Sequence, residues 1–328
     1  MSIRLKLATD SGDLAWPDNG CVSVLGPTPG SDLTILPMER VQIVQPFRPY
    51  FDHFKNLGFD CFPTSDDPCA AVIVVLPRSK IYARALIQIA CARTRGLVVV
   101  EGLKTDGIDG LLREVRNRVP VQGPIAKAHG KIFWFTADVD AFHDWRLPET
   151  QMMDGFITAP GIFSADGIDP ASRLLTESLP QHVGRHVADL GAGWGYLSTH
   201  LLKDAKVESV DLVEADWRAL QCARKNVIDA RAQFHWSDAR TWKAPHRLDA
   251  VTMNPPFHIE RAADPSLGRS FVEAASQLLD RGGSLWMVAN RHLPYEVTLN
   301  ACFDRVEEKA GTSQFKVFQA QRPKRIHR

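Results

Sequence analysis

The sequence has no apolar run long enough to cross a bilayer and no apolar leader. Its longest apolar stretch, residues 69–77, falls far short of the roughly 20 residues that a membrane-spanning helix needs. The first residues, 1–6, lack the apolar core of a secretory signal peptide. We therefore expect a soluble, cytoplasmic protein with no membrane partner.

The sequence also has no Cys-x-x-Cys pair, and its six cysteines are scattered. Paired spacing is typical of zinc sites and of disulfide frameworks, so we expect neither. We predict no bound metal and interpret the cysteines as small buried apolar residues. They are Cys21, Cys61, Cys69, Cys91, Cys222 and Cys302.

A large excess of charge of one sign is missing, because the formal net charge is only +1. The charges are nevertheless unevenly distributed. Residues 1–77 carry five Lys and Arg against nine Asp and Glu, whereas residues 78–131 carry eleven against four. The C-terminal tail adds four cations with no acid: Arg322, Lys324, Arg325 and Arg328. Such asymmetry is typical of a surface that faces nucleic-acid phosphates, although an ordinary solvated surface explains the middle segment equally well.

The sequence does contain enough apolar material for two domains. At 328 residues and 45% hydrophobic composition, the chain exceeds the usual single-domain length. Short β-branched runs alternate with helical segments in both halves, which predicts two α/β domains. We place the first domain at residues 1–140, a linker at 141–160 and the second domain at 161–328. No repeat between the halves is visible in residue identity.

The first half is predicted to be a nucleotide-type α/β fold with parallel strands and no cofactor site. Its β-branched runs lie at residues 21–25, 41–44, 70–76, 97–100 and 132–135. The one glycine-rich turn, residues 26–30, contains Pro27 and Pro29 where a phosphate- or sulfonium-binding loop needs free N–H groups. We therefore expect this half to bind RNA or substrate and not a cofactor.

A glycine-rich loop follows a short buried strand in the second half. The strand covers residues 187–190, and the loop places Gly191, Gly193 and Gly195 before a helix at 196–202. Glycines let the chain turn tightly and bring backbone against a ligand, with a helix N-terminus behind. A glycine triad alone is a weak signal.

Acidic residues around the loop indicate which cofactor it holds. Glu214 ends the following strand, where a carboxylate accepts the two ribose hydroxyls of an adenosine. Asp189, at the start of the loop, suits the cationic amino group of a methionine better than a pyrophosphate. Together they favour S-adenosylmethionine over NAD. Asp238, after the third strand, is a candidate for the adenine amino group, although a helix N-cap is its more ordinary role.

The motif Asn254-Pro255-Pro256-Phe257 follows the fourth strand and predicts the chemistry. An exocyclic amine on a base is a poor nucleophile because its lone pair is delocalised into the ring. If the Asn254 side-chain oxygen and the Pro255 carbonyl accept its two hydrogens, the nitrogen becomes pyramidal and aims at a methyl group. The two prolines stiffen the loop, and Phe257 offers a face for a flipped base. Asn-Pro-Pro alone is also a plain turn, but after a glycine loop it favours an amino methyltransferase.

Residues 155–320 resemble the ribosomal RNA small-subunit methyltransferase C family and its large-subunit sibling, which are guanine-N2 methyltransferases. The resemblance extends well beyond the cofactor loop. It is carried by residues 160–169, by Ser172 with Leu174 and Leu175, and by residues 254–258, 288–295 and 315–318. A weaker resemblance in the first half centres on residues 76–80 and 99–102.

The resemblance implies two Rossmann-like class I methyltransferase domains, the first degenerate and only the second binding S-adenosylmethionine. It places Phe163, Ser164 and Asp166 over the cofactor. It also implies direct methyl transfer to the N2 amine of a guanine, with 16S rRNA of the 30S subunit as the expected substrate and no covalent enzyme intermediate. Trp194 departs from the family, in which smaller or aliphatic residues are more usual in the glycine loop.

Two alternatives compete with this interpretation. Methyltransferases acting on protein glutamine-N5 or adenine-N6 amines use the same Asn-Pro-Pro motif, and the release-factor enzymes typically continue it with tyrosine. Phe257 and the basic tail favour RNA over a release factor. A non-catalytic RNA-binding or assembly factor is the other alternative, and the presence of Asp189, Gly193, Glu214 and Asn254 argues against it.

Overall fold

The computed structural model describes residues 3–256, 258–259, 262–263 and 265–324. It divides into two compact units, residues 1–149 and 150–328. The stretch predicted as a linker, residues 141–160, is shared between them. Phe142 and Trp145 lie in a 3-10 helix, Asp140–Trp145, and pack into a core of the first unit, whereas Phe156 packs in the second. These apolar side chains draw their segments into the two cores.

The first unit is a seven-stranded sheet accompanied by four α-helices in the described part of the chain. Its strands are β1 (Val22–Leu25), β2 (Val41–Val44), β3 (Asp60–Phe62), β4 (Ala71–Val75), β5 (Leu97–Leu103), β6 (Gln122–Lys127) and β7 (Gly130–Thr136). Its helices are α1 (Ile3–Asp10), α2 (Arg48–Asn56), α3 (Lys80–Arg93) and α4 (Ile108–Arg116).

Six of the seven strands of this sheet run in one direction, and β7 departs from the predicted parallel arrangement. The order is β3-β2-β1-β4-β5-β7-β6, and β7 runs antiparallel to both of its neighbours. The reason is the connection. A tight turn through Ala128 and His129, both with positive φ, joins β6 to β7, whereas a parallel pair needs a long crossover.

The central strands of the first unit are buried on both faces of the sheet. Along β4, Val72 and Val74 pack into one apolar cluster and Ala71 and Ile73 into the opposite one. A strand covered on both sides has no polar face, so it is a continuous β-branched run in the sequence. This is why the runs in the sequence predicted these strands correctly.

The second unit repeats this architecture in the described residues. Its strands are β8 (Gln151–Met153), β9 (Phe156–Thr158), β10 (His186–Leu190), β11 (Ser209–Glu214), β12 (Ala232–Trp236), β13 (Leu248–Met253), β14 (His258–Ile259), β15 (Ala262–Ala263), β16 (Leu279–Asn290), β17 (Phe303–Gly311) and β18 (Phe315–Pro323). Its helices are α5 (Pro170–Ser178), α6 (Tyr196–Leu201), α7 (Trp217–Asn226), α8 (Pro265–Leu278) and α9 (Glu296–Cys302). No helix among the described residues combines the length and the apolar character needed to cross a membrane.

The main sheet of the second unit has the order β12-β11-β10-β13-β16-β18-β17. This is the strand order of the first unit, so the two units share a topology that residue identity does not reveal. The order reverses between β10 and β13, and open α/β sheets bind ligands beyond the carboxyl ends of strands at such a switch point. The glycine loop follows β10 and Asn254 follows β13, so both lie at this edge. The predicted fold class, two Rossmann-like α/β units, is confirmed.

Candidate active site

The three loop glycines all have left-handed backbone, but they face different surroundings. Their φ angles are +76° at Gly191, +56° at Gly193 and +94° at Gly195. A Cβ on Gly195 would lie 2.7 Å from Cγ2 of Val227, whereas a Cβ on Gly193 would meet nothing within 4 Å. Gly195 is therefore fixed by packing, and Gly193 borders open space where a ligand would lie against bare backbone.

Glu214, at the carboxyl end of β11, accepts backbone hydrogen bonds through both carboxylate oxygens. Oε2 accepts from the Gly193 N–H at 2.8 Å, and Oε1 accepts from the Asp216 N–H at 2.7 Å. Burial raises the pKa of this half-buried carboxyl to about 7. Each oxygen keeps a lone pair, so the carboxylate fits the two hydroxyls of a ribose placed over Gly193.

Asp189 is fully buried at the end of β10. Its Oδ2 accepts from the Ser198 hydroxyl at 2.7 Å, while Oδ1 has no hydrogen-bond partner among the described residues. Burial, together with a smaller contribution from the nearby Glu214, raises the pKa of this carboxyl to about 7. The structure thus places Asp189 beneath the glycine loop with one acceptor unused, an arrangement suited to a cationic amino group.

Asp238 follows β12 and is held by its own local turn. Its Oδ1 accepts from the Arg240 N–H at 2.9 Å, and its carboxylate pairs with the Arg240 guanidinium. Its backbone carbonyl accepts from the N–H groups of Thr241 and Trp242. Asp238 therefore opens a turn, and the helix N-cap weighed above is not its role, because residues 239–241 form a turn and not a helix.

Asn254 follows β13, and its amide nitrogen is anchored by two acceptors. Nδ2 donates to Oδ2 of Asp169 at 2.8 Å and to Oγ of Ser172 at 2.9 Å. Both partners belong to the start of α5, where Asp169 is the N-cap and also accepts from the Ser172 N–H at 2.7 Å. Pro255 is buried and Pro256 is exposed, and the predicted stacking residue Phe257 lies outside the described residues.

The segment that precedes α5 is tied to the glycine loop. Ser164 has a left-handed φ of +50°, and its carbonyl accepts from the Trp194 indole N–H at 3.2 Å. Phe163 is 59% exposed, and Asp166 is exposed as well. The three residues predicted to cover the cofactor therefore lie in a segment that is hydrogen-bonded to the glycine loop. The side chains of Phe163 and Asp166 are exposed there.

Trp194 has a structural place that explains its departure from the family pattern. It is nearly buried and packs against Phe156, with ring centroids 4.9 Å apart. Ile162 and Ala165 belong to the same apolar cluster. The indole thus fills the space beneath the segment that precedes α5, and a smaller residue would leave this space empty.

Sequence reasoning missed a polar clamp at Asn226, the last residue of α7. Its Oδ1 accepts from the Ile157 N–H at 2.7 Å, and its Nδ2 donates to the carbonyls of Ile157 and Trp194, each at 2.8 Å. One side chain therefore joins β9, α7 and the glycine loop. An asparagine at the end of a helix is an ordinary cap, so no local pattern in the sequence pointed to this role.

The first unit has a degenerate version of the same arrangement. Gly26 has a φ of +66° and follows β1 as Gly191 follows β10. The next residue is Pro27, which has no N–H, and its carbonyl accepts from the Gln45 amide at 2.7 Å. Gln45 follows β2, in the region where Glu214 ends β11, so an amide donor replaces the carboxylate acceptor. The turn after β1 therefore lacks both the N–H at this position and the carboxylate that the turn after β10 has.

No cluster of three or more His, Cys, Asp or Glu side chains with a metal-binding arrangement occurs in the part of the chain that the structure describes. The polar groups of the site are instead backbone N–H groups, carboxylates and one amide. Such a set of donors and acceptors suits an organic ligand with hydroxyl and amino groups.

Comparison with known proteins places the second unit in a defined family. The family model of the methyltransferase small domain matches residues 154–319. A ribosomal RNA large subunit methyltransferase G of Ectopseudomonas mendocina is 31% identical over 210 residues, covering 61% of this chain and 56% of that protein. A ribosomal RNA small subunit methyltransferase C of Shewanella halifaxensis is 28% identical over 285 residues and 83% of each chain.

Two of the large-subunit relatives extend well beyond the match, because this chain spans only 56% and 43% of their lengths. Among solved structures, a 16S rRNA N2 methyltransferase of T. thermophilus, in complex with AdoMet and guanosine, has the same fold. It is 23% identical, has a TM-score of 0.77 and matches over 94% of this chain and 90% of its own.

Proposed function

Because this chain belongs to the methyltransferase small domain family, we propose that it transfers a methyl group from S-adenosylmethionine to the N2 amine of a guanine in ribosomal RNA. The observation that carries the proposal is the anchored amide of Asn254. The nitrogen of this amide donates to Asp169 and Ser172. Its oxygen therefore remains available to accept a hydrogen bond from a substrate amine at the ligand-binding edge of the sheet.

The residues around the glycine loop fit the cofactor. Glu214 accepts the ribose hydroxyls, and the unused oxygen of Asp189 attracts the methionine amino group. The open space at Gly193 leaves the backbone accessible to the ligand. Phe163 and Asp166, in the segment that precedes α5, would border the cofactor. When bound, S-adenosylmethionine supplies an electrophilic methyl group.

Asn254 and Pro255 prepare the amine for attack. The Asn254 Oδ1 and the Pro255 carbonyl each accept one N–H, which localises the nitrogen lone pair and directs it along one line. The amine held in this way would take the methyl group that S-adenosylmethionine supplies, S-adenosylhomocysteine would be the leaving group, and the surplus proton would pass to water. No residue of this chain forms a covalent bond in this scheme.

The first unit offers cations for an RNA backbone. Several of its basic residues are neutralised by acids, including Arg84 with Glu114 and Arg118 with Asp144. Five exposed cations form no ion pair among the described residues, and we assign them to phosphate contacts. They are Arg95, Lys104, Arg113, Arg116 and Lys127.

We propose 16S rRNA of the 30S subunit as the substrate. The support is the relative from Shewanella halifaxensis, named for the small subunit, which aligns across 83% of both chains. The T. thermophilus structure, named for 16S rRNA, matches in fold across most of this chain.

The test supplies radiolabelled S-adenosylmethionine with naked rRNA, 30S subunits, 50S subunits or release factor. We expect label in 16S rRNA, recovered as N2-methylguanosine after nuclease digestion and mass spectrometry. Label in release factor, or in N6-methyladenosine, would instead establish one of the competing amine substrates. Absence of transfer to every substrate would support the non-catalytic alternative.

A further inference from the structure

One oxygen of Asp169 joins the start of α5 to the motif that follows β13. This Oδ2 accepts both the Ser172 N–H at 2.7 Å and the Asn254 Nδ2 at 2.8 Å. Ser172 contributes a second acceptor, its hydroxyl, at 2.9 Å from the same nitrogen. The three residues form a closed polar group, although Asn254 is 85 residues from Asp169 along the chain.

These contacts leave Asn254 only one compatible orientation. A carboxylate is an acceptor only, so the end of the amide that faces Asp169 must be the NH2 group. A flipped amide would set its oxygen against the carboxylate and present two donors to the substrate. The N–H groups of the substrate amine would then face the N–H groups of Asn254 and would have no acceptor there.

We propose that Asp169 and Ser172 are positioning residues, which fix the amide of Asn254 with Oδ1 toward the substrate amine. The inference rests on the proposed function of Asn254. It adds that the acceptor is oriented before substrate arrives, by residues that touch neither substrate nor cofactor. A hydrogen bond from an amide N–H to a carboxylate oxygen is charge-assisted, which strengthens the preference for one orientation.

The first test compares two replacements of Asp169 that both preserve the start of α5. Asp169→Asn keeps an oxygen acceptor, whereas Asp169→Gly removes it, and glycine is itself a favoured N-cap residue. We expect kcat of Asp169→Gly combined with Ser172→Ala to fall about tenfold to a hundredfold below that of Asp169→Asn. The KM for RNA and the Kd for cofactor should change little. Equal kcat values in folded proteins would overturn the proposal.

A charge exchange supplies the second test. Asn254→Asp sets two carboxylates against each other, so we expect kcat to drop and to recover partly at acid pH, where the pair shares a proton. Adding Asp169→Asn returns an N–H donor to the new carboxylate and should restore much of the activity at neutral pH. A purely structural role for Asp169 predicts instead that the two losses add.

A readout independent of catalysis separates this proposal from the proposed function. The Asn254 side-chain NH2 signal in the NMR spectrum of ¹⁵N-labelled protein is assigned by its loss in Asn254→Ala. We expect slow hydrogen exchange for this group in the parental protein and in Asp169→Asn, and fast exchange in the Asp169→Gly, Ser172→Ala variant. Fast exchange in the parental protein would refute the anchored amide. Slow exchange without methyl transfer to any rRNA would refute only the proposed function.

Discussion

The side-chain amide of Asn254 has a donor nitrogen and an acceptor oxygen, and the nitrogen donates to Asp169 and Ser172. We predict that Asn254→Ala lowers kcat by about a hundredfold or more, because a positioned acceptor for the amine is lost. Cofactor affinity should be nearly preserved, since the amide addresses the amine and not the methionine. Single-turnover methyl transfer and calorimetry measure the two quantities.

Asn300→Ala is a suitable control for this variant. Asn300 is exposed on α9 and donates to the Glu296 carbonyl, so the same chemical change there should leave transfer intact. Near-normal turnover of Asn254→Ala would remove Asn254 from the proposed role.

Glu214 gives cofactor binding a dependence on pH. Burial raises its pKa to about 7, and only the ionised form has both oxygens available as acceptors. As pH falls through 7 the carboxyl takes up a proton, so the cofactor Kd should rise by up to tenfold per pH unit below the pKa. Glu214→Ala should raise the Kd by the equivalent of about 1.5–3 kcal/mol.

Glu214→Gln is the control for titration, because an amide of the same shape does not ionise in this range. We expect its weaker cofactor binding to depend less steeply on pH between 6 and 8 than that of the parental protein, because Asp189 is then the remaining carboxyl of the site with a pKa near 7. If calorimetry found the parental slope unchanged in Glu214→Gln, the titrating group would be another carboxyl, and Asp189 is the nearest candidate.

On the scale of elements, the turn from β10 to α6 allows two glycines to be compared. Both have positive φ, but only Gly195 is crowded, by Val227 at 2.7 Å. Gly193→Ala should cost about 1–2 kcal/mol of stability from backbone strain and should weaken cofactor binding strongly, because the methyl enters the ligand space. Gly195→Ala should destabilise more, by an additional 1–3 kcal/mol of overpacking.

Thermal melting with and without S-adenosylhomocysteine separates the two effects. We expect ligand to raise the Tm of Gly195→Ala by nearly the parental amount and to leave the Tm of Gly193→Ala almost unchanged. The opposite pattern would place the cofactor on the other side of the loop.

Strands buried on both faces were predictable from sequence, whereas helices α2 and α5 and the edge strand β17 were not. Strand β4 is a run of β-branched residues because apolar clusters cover both of its sides. Helix α2 begins with Arg48-Pro49 and α5 begins with Pro170; a proline is compatible with a helix only in its first turn. Strand β17 is rich in charge, as edge strands often are, and was not predicted.

The site was predictable only where local sequence determines its geometry. Glycine spacing and the Asn-Pro-Pro motif each lie within a few residues, so their positions at the sheet edge followed from the strand pattern. The partners Asp169 and Asn226 act on residues 85 and 69 positions away. One sequence carries no signal of such pairs, because an aspartate before a proline and an asparagine ending a helix are ordinary caps.

For the molecule as a whole, we expect RNA binding to depend steeply on salt. Phosphate contacts release counterions, so each lost contact should reduce the slope of log K against log salt by about 0.7–0.9. Replacing Arg113, Arg116 and Lys127 by Gln should flatten the slope accordingly while cofactor affinity stays constant. We expect the same reduction of the salt slope when Arg322 and Lys324 of the basic tail, which are exposed, are replaced by Gln. The other two cations of the tail, Arg325 and Arg328, lie outside the described residues.

Lys6→Gln is the matched control, because Lys6 is exposed but already paired with Asp10 at 2.7 Å. This variant loses one positive charge of the first unit, but the lost cation is one that already has an acidic partner. We therefore expect its salt slope to stay close to the parental value. A salt slope that did not change in the triple variant, measured by fluorescence anisotropy with labelled rRNA, would exclude this surface from RNA binding.

The strand order also governs how the chain is completed during translation. In each sheet the strand made last is inserted between two strands made earlier: β7 between β5 and β6, and β18 between β16 and β17. Until that strand leaves the ribosome, its predecessor has no neighbour in the sheet. Strand β17 exposes Asp304, Arg305 and Lys309 during this interval, and charged side chains resist pairing with foreign strand edges. The first unit is synthesised before the second, so its sheet can be complete before the glycine loop and Asn254 have left the ribosome.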